Sequence, residues 1–149
     1  MKKTALSLLL CAFVLFVQAQ VKDPVTWKFE AKKKNADTYE LVATATLEKP
    51  WHIYSQKTGK GPLPTKFIFN PNPLLKLEGA VKESGKLEKV FDNNFNAEVL
   101  SYANKVVFTQ LLKLKTAVKT NISGKIEFMV CNNEQCLPPT KKVFDVLLQ

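Results

Sequence analysis

Alternation of apolar and polar residues dominates the chain after its first twenty positions. In the segment TYELVATATLE, one face holds Tyr39, Leu41, Ala43, Ala45 and Leu47. Threonine and glutamate take most of the positions between them, and this period of two is typical of a half-buried β-strand. Shorter runs that also favour strands follow at WHIYS, TKFIF, LLKLEG, LEKVF, KVVFTQLLKL, GKIEFMV and KKVFDVLL.

Turn signals separate these runs, and no segment carries a clear apolar stripe at helical spacing. The signals are Lys49-Pro50, 59–62 (GKGP), 70–73 (NPNP), Ser84-Gly85, 92–94 (DNN) and Ser123-Gly124. Eight or so short strands, with a turn about every 8 to 12 residues, predict an all-β, antiparallel β-sandwich. Because no repeat or linker is visible, we expect one domain to fill residues 20–149.

The first nineteen residues have the pattern of a secretory signal peptide. Two lysines precede an apolar stretch at 5–17, and Val17 and Ala19 occupy the −3 and −1 positions of a cleavage site. The stretch is too short to span a bilayer. Cys11 is not preceded by the Gly or Ala of a lipoprotein anchor, so we assign it to the signal. The sequence predicts a soluble product in an oxidising compartment beyond the inner membrane, where disulfides persist.

The charge of the chain excludes one class of partner. The formal net charge is +9, and all 22 basic residues are lysines. Arginine is the side chain that reads phosphates and guanine edges with two hydrogen bonds. The lysines are also scattered along the chain. We therefore expect a solvated basic surface and no nucleic-acid partner.

Cys131 and Cys136 are the only cysteines outside the first twenty residues, in the segment MVCNNEQCLPPTKK. At the tip of a hairpin, they would lie within the Cα spacing that a disulfide requires. The four residues between them are polar, so we expect the bridge near solvent, where the thiolate of another protein can reach it. So small a ring stabilises a fold by only about 2 kcal/mol, which makes the pair a poor structural staple.

The segment CNNEQCLPP, preceded by WHIYSQ, GPLPT and FDNNF, resembles the N-terminal periplasmic domain of the thiol:disulfide interchange protein DsbD. The resemblance covers residues 27–148 and implies an immunoglobulin-like fold. It also implies that the chain takes electrons from a transmembrane carrier and passes them to oxidised periplasmic proteins, with thioredoxin-like proteins among its partners. Because DsbD proteins carry a membrane domain and a thioredoxin-like domain, we expect separate polypeptides to supply those functions here.

The resemblance also assigns roles to individual residues. The redox pair maps onto Cys131 and Cys136, of which Cys136 is implied to form mixed disulfides with partners. Pro138, the first of two prolines after Cys136, is a supporting residue because it restricts the backbone that leaves the site.

A cap loop that covers the disulfide is implied for the segment FDNNFNAE. Phe95 is the candidate for its shielding ring. The family has a carboxylate at the start of this loop, and either Asp92 or Asn93 takes that position, depending on a one-residue shift. His52 and Tyr54 stand where the family has tyrosines beside the site.

Two other interpretations stay open. The chain could be an immunoglobulin-like binding module whose hairpin disulfide is only structural, in which case function survives the loss of both cysteines. It could instead hold copper or zinc through Met129, Cys131, Cys136 and His52, although the cysteine spacing is wide for a zinc clip and only one histidine is available. On the redox interpretation we expect a monomer without a metal or cofactor.

Overall fold

The computed structural model describes residues 23–149, and within that range every element of regular secondary structure is a β-strand. The predicted signal peptide and Cys11 lie outside the described residues. Within residues 23–149, no helix has the length and apolarity needed to cross a membrane. The strands are β1 (Val25–Lys33), β2 (Thr38–Leu47), β3 (His52–Tyr54), β4 (Lys66–Phe69), β5 (Leu75–Asp92), β6 (Ala97–Leu114), β7 (Thr120–Phe128), β8 (Val130–Cys131) and β9 (Thr140–Leu148).

The strands form two antiparallel sheets. The larger sheet has the order β1-β2-β6-β3-β8, and β5 pairs with β6 outside this path. The smaller sheet has the order β4-β7-β9. The prediction of an immunoglobulin-like antiparallel β-sandwich is therefore confirmed.

The core lies between the inner faces of the two sheets. On β2, the five residues that the alternation assigned to one face are all buried. Ile122, Ile126 and Phe128 of β7 belong to the same buried cluster. Full burial of one such aliphatic side chain stabilises a fold by about 1.5–3 kcal/mol. This cluster contains neither cysteine, so we expect the core to hold the sandwich together without the disulfide.

β1 was not among the predicted strands. Its apolar residues Trp27, Phe29 and Ala31 nevertheless alternate with charged ones, and all three pack against the core. The ring of Trp27 lies 5.4 Å from that of Phe128, measured between centroids. This contact ties the first strand to the opposite sheet.

Two predicted turns were wrong, because β5 continues through Ser84-Gly85 as one strand of 18 residues and β7 continues through Ser123-Gly124. Pairing with β6 is irregular between Gly85 and Leu87. A Cβ atom at Gly85 would stand 3.0 Å from the carbonyl oxygen of Lys105. The glycine therefore marks a close approach of two backbones at an irregularity of the sheet, and not a reversal of the chain.

The cysteine segment passes from one sheet to the other and back. β7 ends in the smaller sheet at Phe128, and after Met129 the chain enters the larger sheet as β8. It returns to the smaller sheet at the start of β9. The run GKIEFMV, predicted as one strand, is therefore divided at Met129. As a result, Cys131 becomes the direct cross-strand neighbour of His52 on β3.

Candidate functional site

Cys131 and Cys136 form a disulfide, and their Cα atoms are 4.0 Å apart. The two sulfur-bearing residues differ in exposure. Cys131 is 0% exposed and packs against Tyr54 and Val99, whereas Cys136 lies at the edge of the same cluster and is only partly buried. The expectation of a bridge near solvent therefore holds for Cys136 and was wrong for Cys131.

The side chain of Asn132 shapes the loop between the cysteines. Its Oδ1 accepts hydrogen bonds from the backbone N–H of Glu134, at 2.9 Å, and of Gln135, at 2.8 Å. The backbone N–H of Asn132 donates to the carbonyl of Gln135 at 2.9 Å. Asparagine favours tight turns through bonds of this kind. The polar sequence NNEQ therefore closes the chain so that the two cysteines face each other.

Three polar side chains converge beside the disulfide. The hydroxyl of Tyr54 donates to Oδ2 of Asp92 at 2.5 Å, and His52 Nε2 lies 3.6 Å from the same oxygen. His52 Nε2 is also 3.3 Å from the Tyr54 hydroxyl. One donor atom each of His52, Asp92 and Cys131 lies within 4.8 Å of the others. Met129, considered above as a metal ligand, packs against the buried group formed by Tyr54, Val99 and Cys131.

Asp92 is held from its other side by Asn94. Oδ1 of Asp92 accepts hydrogen bonds from the backbone N–H of Asn94 at 2.8 Å and from its side-chain amide at 3.0 Å. The same amide donates to the carbonyl of Asn132 at 3.2 Å, which connects the loop after β5 to the cysteine loop. Asp92 is buried and points into the site, whereas Asn93 is exposed.

Burial and hydrogen bonding set the charges of the cluster. Burial opposes ionisation of Asp92, but hydrogen bonds from Tyr54 and Asn94 outweigh it and hold the pKa of Asp92 below its ordinary value of 3.8. Burial lowers the pKa of His52 below 6.5, and the nearby Asp92 carboxylate offsets part of this effect. Burial and the hydrogen bond to Asp92 raise the pKa of Tyr54 far above its usual range. At neutral pH the site therefore contains an ionised Asp92, a neutral His52 and a protonated Tyr54.

Phe95 covers part of the cluster from the cap loop, residues 92–96. Its half-buried ring packs against the group formed by Tyr54, Val99 and Cys131 and meets the Tyr54 ring edge-on, at 6.0 Å between centroids. Gly61 also lies against Phe95. A Cβ atom at Gly61 would stand 3.0 Å from that of Phe95, and the φ angle of +123° is one that other residues rarely adopt.

The structure separates the predicted site residues into two groups. Asn93 and Pro138 are exposed, and the carbonyl of Pro138 accepts a hydrogen bond from the hydroxyl of Thr140. The residues brought together are His52, Tyr54, Asp92, Phe95, Cys131 and Cys136. Sequence reasoning missed Asn94 and Asn132, although both belong to short Asx-type patterns that favour such turns.

Comparisons with known proteins concern nearly the whole described chain. The family model for "Thiol:disulfide interchange protein DsbD, N-terminal" matches residues 17–148. Among solved structures, the N-terminal periplasmic domain of ScsB from Proteus mirabilis has a TM-score of 0.63 at 16% identity, and the match covers 83% of this chain and 46% of that one. The match therefore spans less than half the length of the chain in that structure.

A second solved structure agrees with this comparison. The N-terminal domain of Neisseria meningitidis DsbD, in its reduced form, has a TM-score of 0.56 at 17% identity, with coverage of 82% of this chain and 83% of that one. At these identities the likeness concerns the fold. No curated protein sequence matches the chain.

Proposed function

Because this chain belongs to the family of DsbD N-terminal domains, we propose that it carries out thiol:disulfide interchange in the periplasm through Cys131 and Cys136. The observation that carries the proposal is the unequal exposure of the two residues, since Cys136 is partly exposed and Cys131 is fully buried. The donor would be a transmembrane carrier of the DsbD type or a thioredoxin-like protein. The acceptors would be oxidised periplasmic proteins.

Reduction starts at Cys136. A donor thiolate attacks its Sγ atom, the disulfide bond breaks, and the bonding electron pair leaves with Cys131 as a thiolate. The donor's second thiolate then attacks the donor's first sulfur, which is bonded to Cys136 in the mixed disulfide, and releases Cys136 as a thiolate. One electron pair has moved from a dithiol to this chain. In the second half of the relay, Cys136 attacks an acceptor disulfide and Cys131 resolves the mixed disulfide.

The surroundings of Cys131 oppose reaction with unselected thiols. A donor atom of Asp92 lies within 4.8 Å of the Cys131 sulfur, so an ionised carboxylate repels the thiolate that must leave. The ring of Phe95 covers the cluster, and the amide of Asn94 holds its loop to Asn132. A partner that displaces the cap loop removes this cover, which couples docking to access.

The location in the cell belongs to the same proposal. Residues 1–19 would direct export and be removed, which leaves residues 20–149 as one domain. The similarity to an N-terminal domain described as periplasmic, that of ScsB, supports this location.

The first test traps the mixed disulfide. In Cys131→Ser, the partly exposed Cys136 has no internal partner, so mixed disulfides with envelope proteins should accumulate on non-reducing gels. In Cys136→Ser, the remaining sulfur is buried, and we expect few adducts or none. The two variants are matched because each loses one sulfur of the same bridge, and equal melting temperatures would show that both are folded.

Identification of the trapped proteins by mass spectrometry completes the experiment. We expect membrane redox proteins or thioredoxin-like proteins. If neither variant forms adducts and a double variant keeps full function in cells, the interchange proposal is wrong. The binding-module interpretation would then replace it.

A further inference from the structure

Reduction of the disulfide would leave two thiols beside an imidazole and a carboxylate. We propose that the reduced protein binds one thiophilic divalent metal ion, with zinc as the best match, through Cys131, Cys136, His52 and Asp92. The inference concerns the reduced protein itself and does not require that the relay proposed above operates.

The positions of three donor atoms carry the argument. His52 and Cys131 are directly opposed on β3 and β8, so their side chains project from the same face of the sheet. Donor atoms of His52, Asp92 and Cys131 lie within 4.8 Å of one another, and His52 Nε2 is 3.6 Å from Asp92 Oδ2. Ligand atoms around a tetrahedral zinc ion lie roughly 3.3–3.8 Å apart, given Zn–N and Zn–S bonds of about 2.0 and 2.3 Å. Adjustments of about 1 Å would therefore close three corners of the site.

Cys136 supplies the fourth corner. Its sulfur is bonded to that of Cys131 in the oxidised protein, so after reduction it remains next to the other donors. Reduction by a dithiol adds two electrons and two protons to the disulfide and gives two thiols. Binding of a divalent ion then displaces both protons, because thiolates are the ligands. The oxidised protein, which has no thiolate to offer, should not bind.

Hydrogen bonds around Asp92 orient the carboxylate as a ligand. Tyr54 donates to Oδ2, and Asn94 donates twice to Oδ1. Ligating carboxylates in metal sites are held by such outer contacts. The side chain of Asp92 is 3% exposed and that of His52 16%. A metal would therefore sit in a largely dry pocket with its ligands already oriented.

Charge balance and donor type both favour zinc. Two thiolates and the Asp92 carboxylate would place three negative charges in a buried site, and a divalent ion reduces this to one. Two sulfurs, one imidazole nitrogen and one carboxylate oxygen suit zinc, whereas calcium and magnesium prefer oxygen ligands only. Because both sulfurs would be coordinated, the metal-bound form should attack a disulfide more slowly than the free dithiol.

The test is metal binding by the reduced chain. The protein is reduced with a dithiol, freed of reductant without oxygen, and titrated with Co²⁺. We expect one equivalent to give thiolate-to-cobalt charge-transfer absorption and the intense visible bands of a tetrahedral ion. Zn²⁺ should then bleach these bands, and competition with a chromophoric chelator gives the affinity. His52→Phe and Asp92→Asn should each weaken Zn²⁺ binding by about tenfold or more. Glu134→Gln, which removes a carboxylate from the cysteine loop outside the cluster, should bind as the parent does.

Three results would overturn the proposal. They are the absence of tetrahedral cobalt bands, equal binding by the oxidised protein, and an unchanged affinity in His52→Phe. A thiol count and a circular dichroism spectrum of each variant show that it is reduced and folded, and His52→Phe alone decides if Asp92→Asn does not fold. Mixed-disulfide trapping in the presence of a chelator tests the relay separately, so failure of one proposal leaves the other standing.

Discussion

The hydrogen bond from Tyr54 to Asp92 allows the charge of the site to be tested by the removal of a single oxygen atom. Tyr54→Phe keeps the buried ring and deletes the donor that lies 2.5 Å from Oδ2 of Asp92. The carboxylate keeps its two bonds from Asn94. A hydrogen bond to a charged group contributes about 1.5–3 kcal/mol. We expect the free energy of unfolding at neutral pH to fall by about that amount, and the pKa of Asp92 to rise.

The effect should depend on pH in a defined direction. The pKa of Asp92 is held below 3.8 in the folded protein, so its ionised form contributes stability above pH 3.8. This contribution is lost as the pH falls through the folded-state pKa. The difference in stability between Tyr54→Phe and the parent should therefore be largest at neutral pH and shrink on acidification, because both proteins then carry a neutral carboxyl.

The carboxyl carbon resonance of Asp92 reports its pKa, and urea unfolding of the oxidised, metal-free protein measures the difference at neutral pH and again below that folded-state pKa. Tyr39→Phe is the matched control, since it removes the same hydroxyl from a buried tyrosine on β2. It should leave the pKa of Asp92 unchanged. A stability difference that is constant with pH, or equal in the two variants, would refute the assigned role of the Tyr54 hydroxyl.

Three further predictions concern the cover over the disulfide and the bridge itself. Phe95→Ala should speed reduction of the disulfide by a small dithiol, because its ring packs against the buried group that contains Cys131. Phe91→Ala is the control: it removes a nearby ring that is 58% exposed and should leave the rate unchanged. The reduction rates are measured by quenching the free thiols at successive times. Equal rates for the two variants would show that the Phe95 ring does not shield the disulfide. Gly61→Ala should also speed reduction of the disulfide and lower the free energy of unfolding by about 1–3 kcal/mol. The reasons are the φ angle of +123° at Gly61 and the 3.0 Å approach of a new Cβ atom to Phe95. Gly59→Ala, whose new Cβ meets nothing within 4 Å, is its control, and similar urea unfolding of both would contradict the strain argument. Reduction of the parent should lower the free energy of unfolding by about 2 kcal/mol and leave the sandwich folded; loss of strand signal in circular dichroism on reduction would make the bridge a staple.

Local pattern explains how much of the fold was predictable. The alternation in β2 reflects a strand with one buried face, and the structure buries the expected residues. The error at Ser84-Gly85 has a different origin. Glycine serves both turns and close backbone approaches, and only the partner strand decides between them. That partner carries Lys105, some twenty positions further along the chain.

The candidate site shows the same division between local and distant information. The cysteine pair and the cap loop are short segments, so a motif identifies them. The contact between His52 and Cys131 instead depends on the register of β3 and β8, which no local pattern contains. Asp92 is the last residue of β5 and is buried, whereas Asn93 begins the exposed turn that follows, so a shift of one residue decides which of them enters the site. The hydroxyl of Tyr54 selects Asp92, and that hydroxyl comes from a distant strand.

Because the cysteine segment crosses between the two sheets, its local stability can differ from the stability of the whole domain. β8 is two residues long and pairs with β3, which is itself only three residues long, whereas β7 and β9 are paired over nine residues in the other sheet. We therefore expect the segment to leave the larger sheet in a sub-global opening, with its ends fixed, at a free energy below that of global unfolding. Each 1.4 kcal/mol of opening free energy makes the open population about tenfold smaller. For Cys131, access is thus a matter of how often this short strand opens, and amide hydrogen exchange at Cys131, the residue of β8 that pairs with His52, measures it.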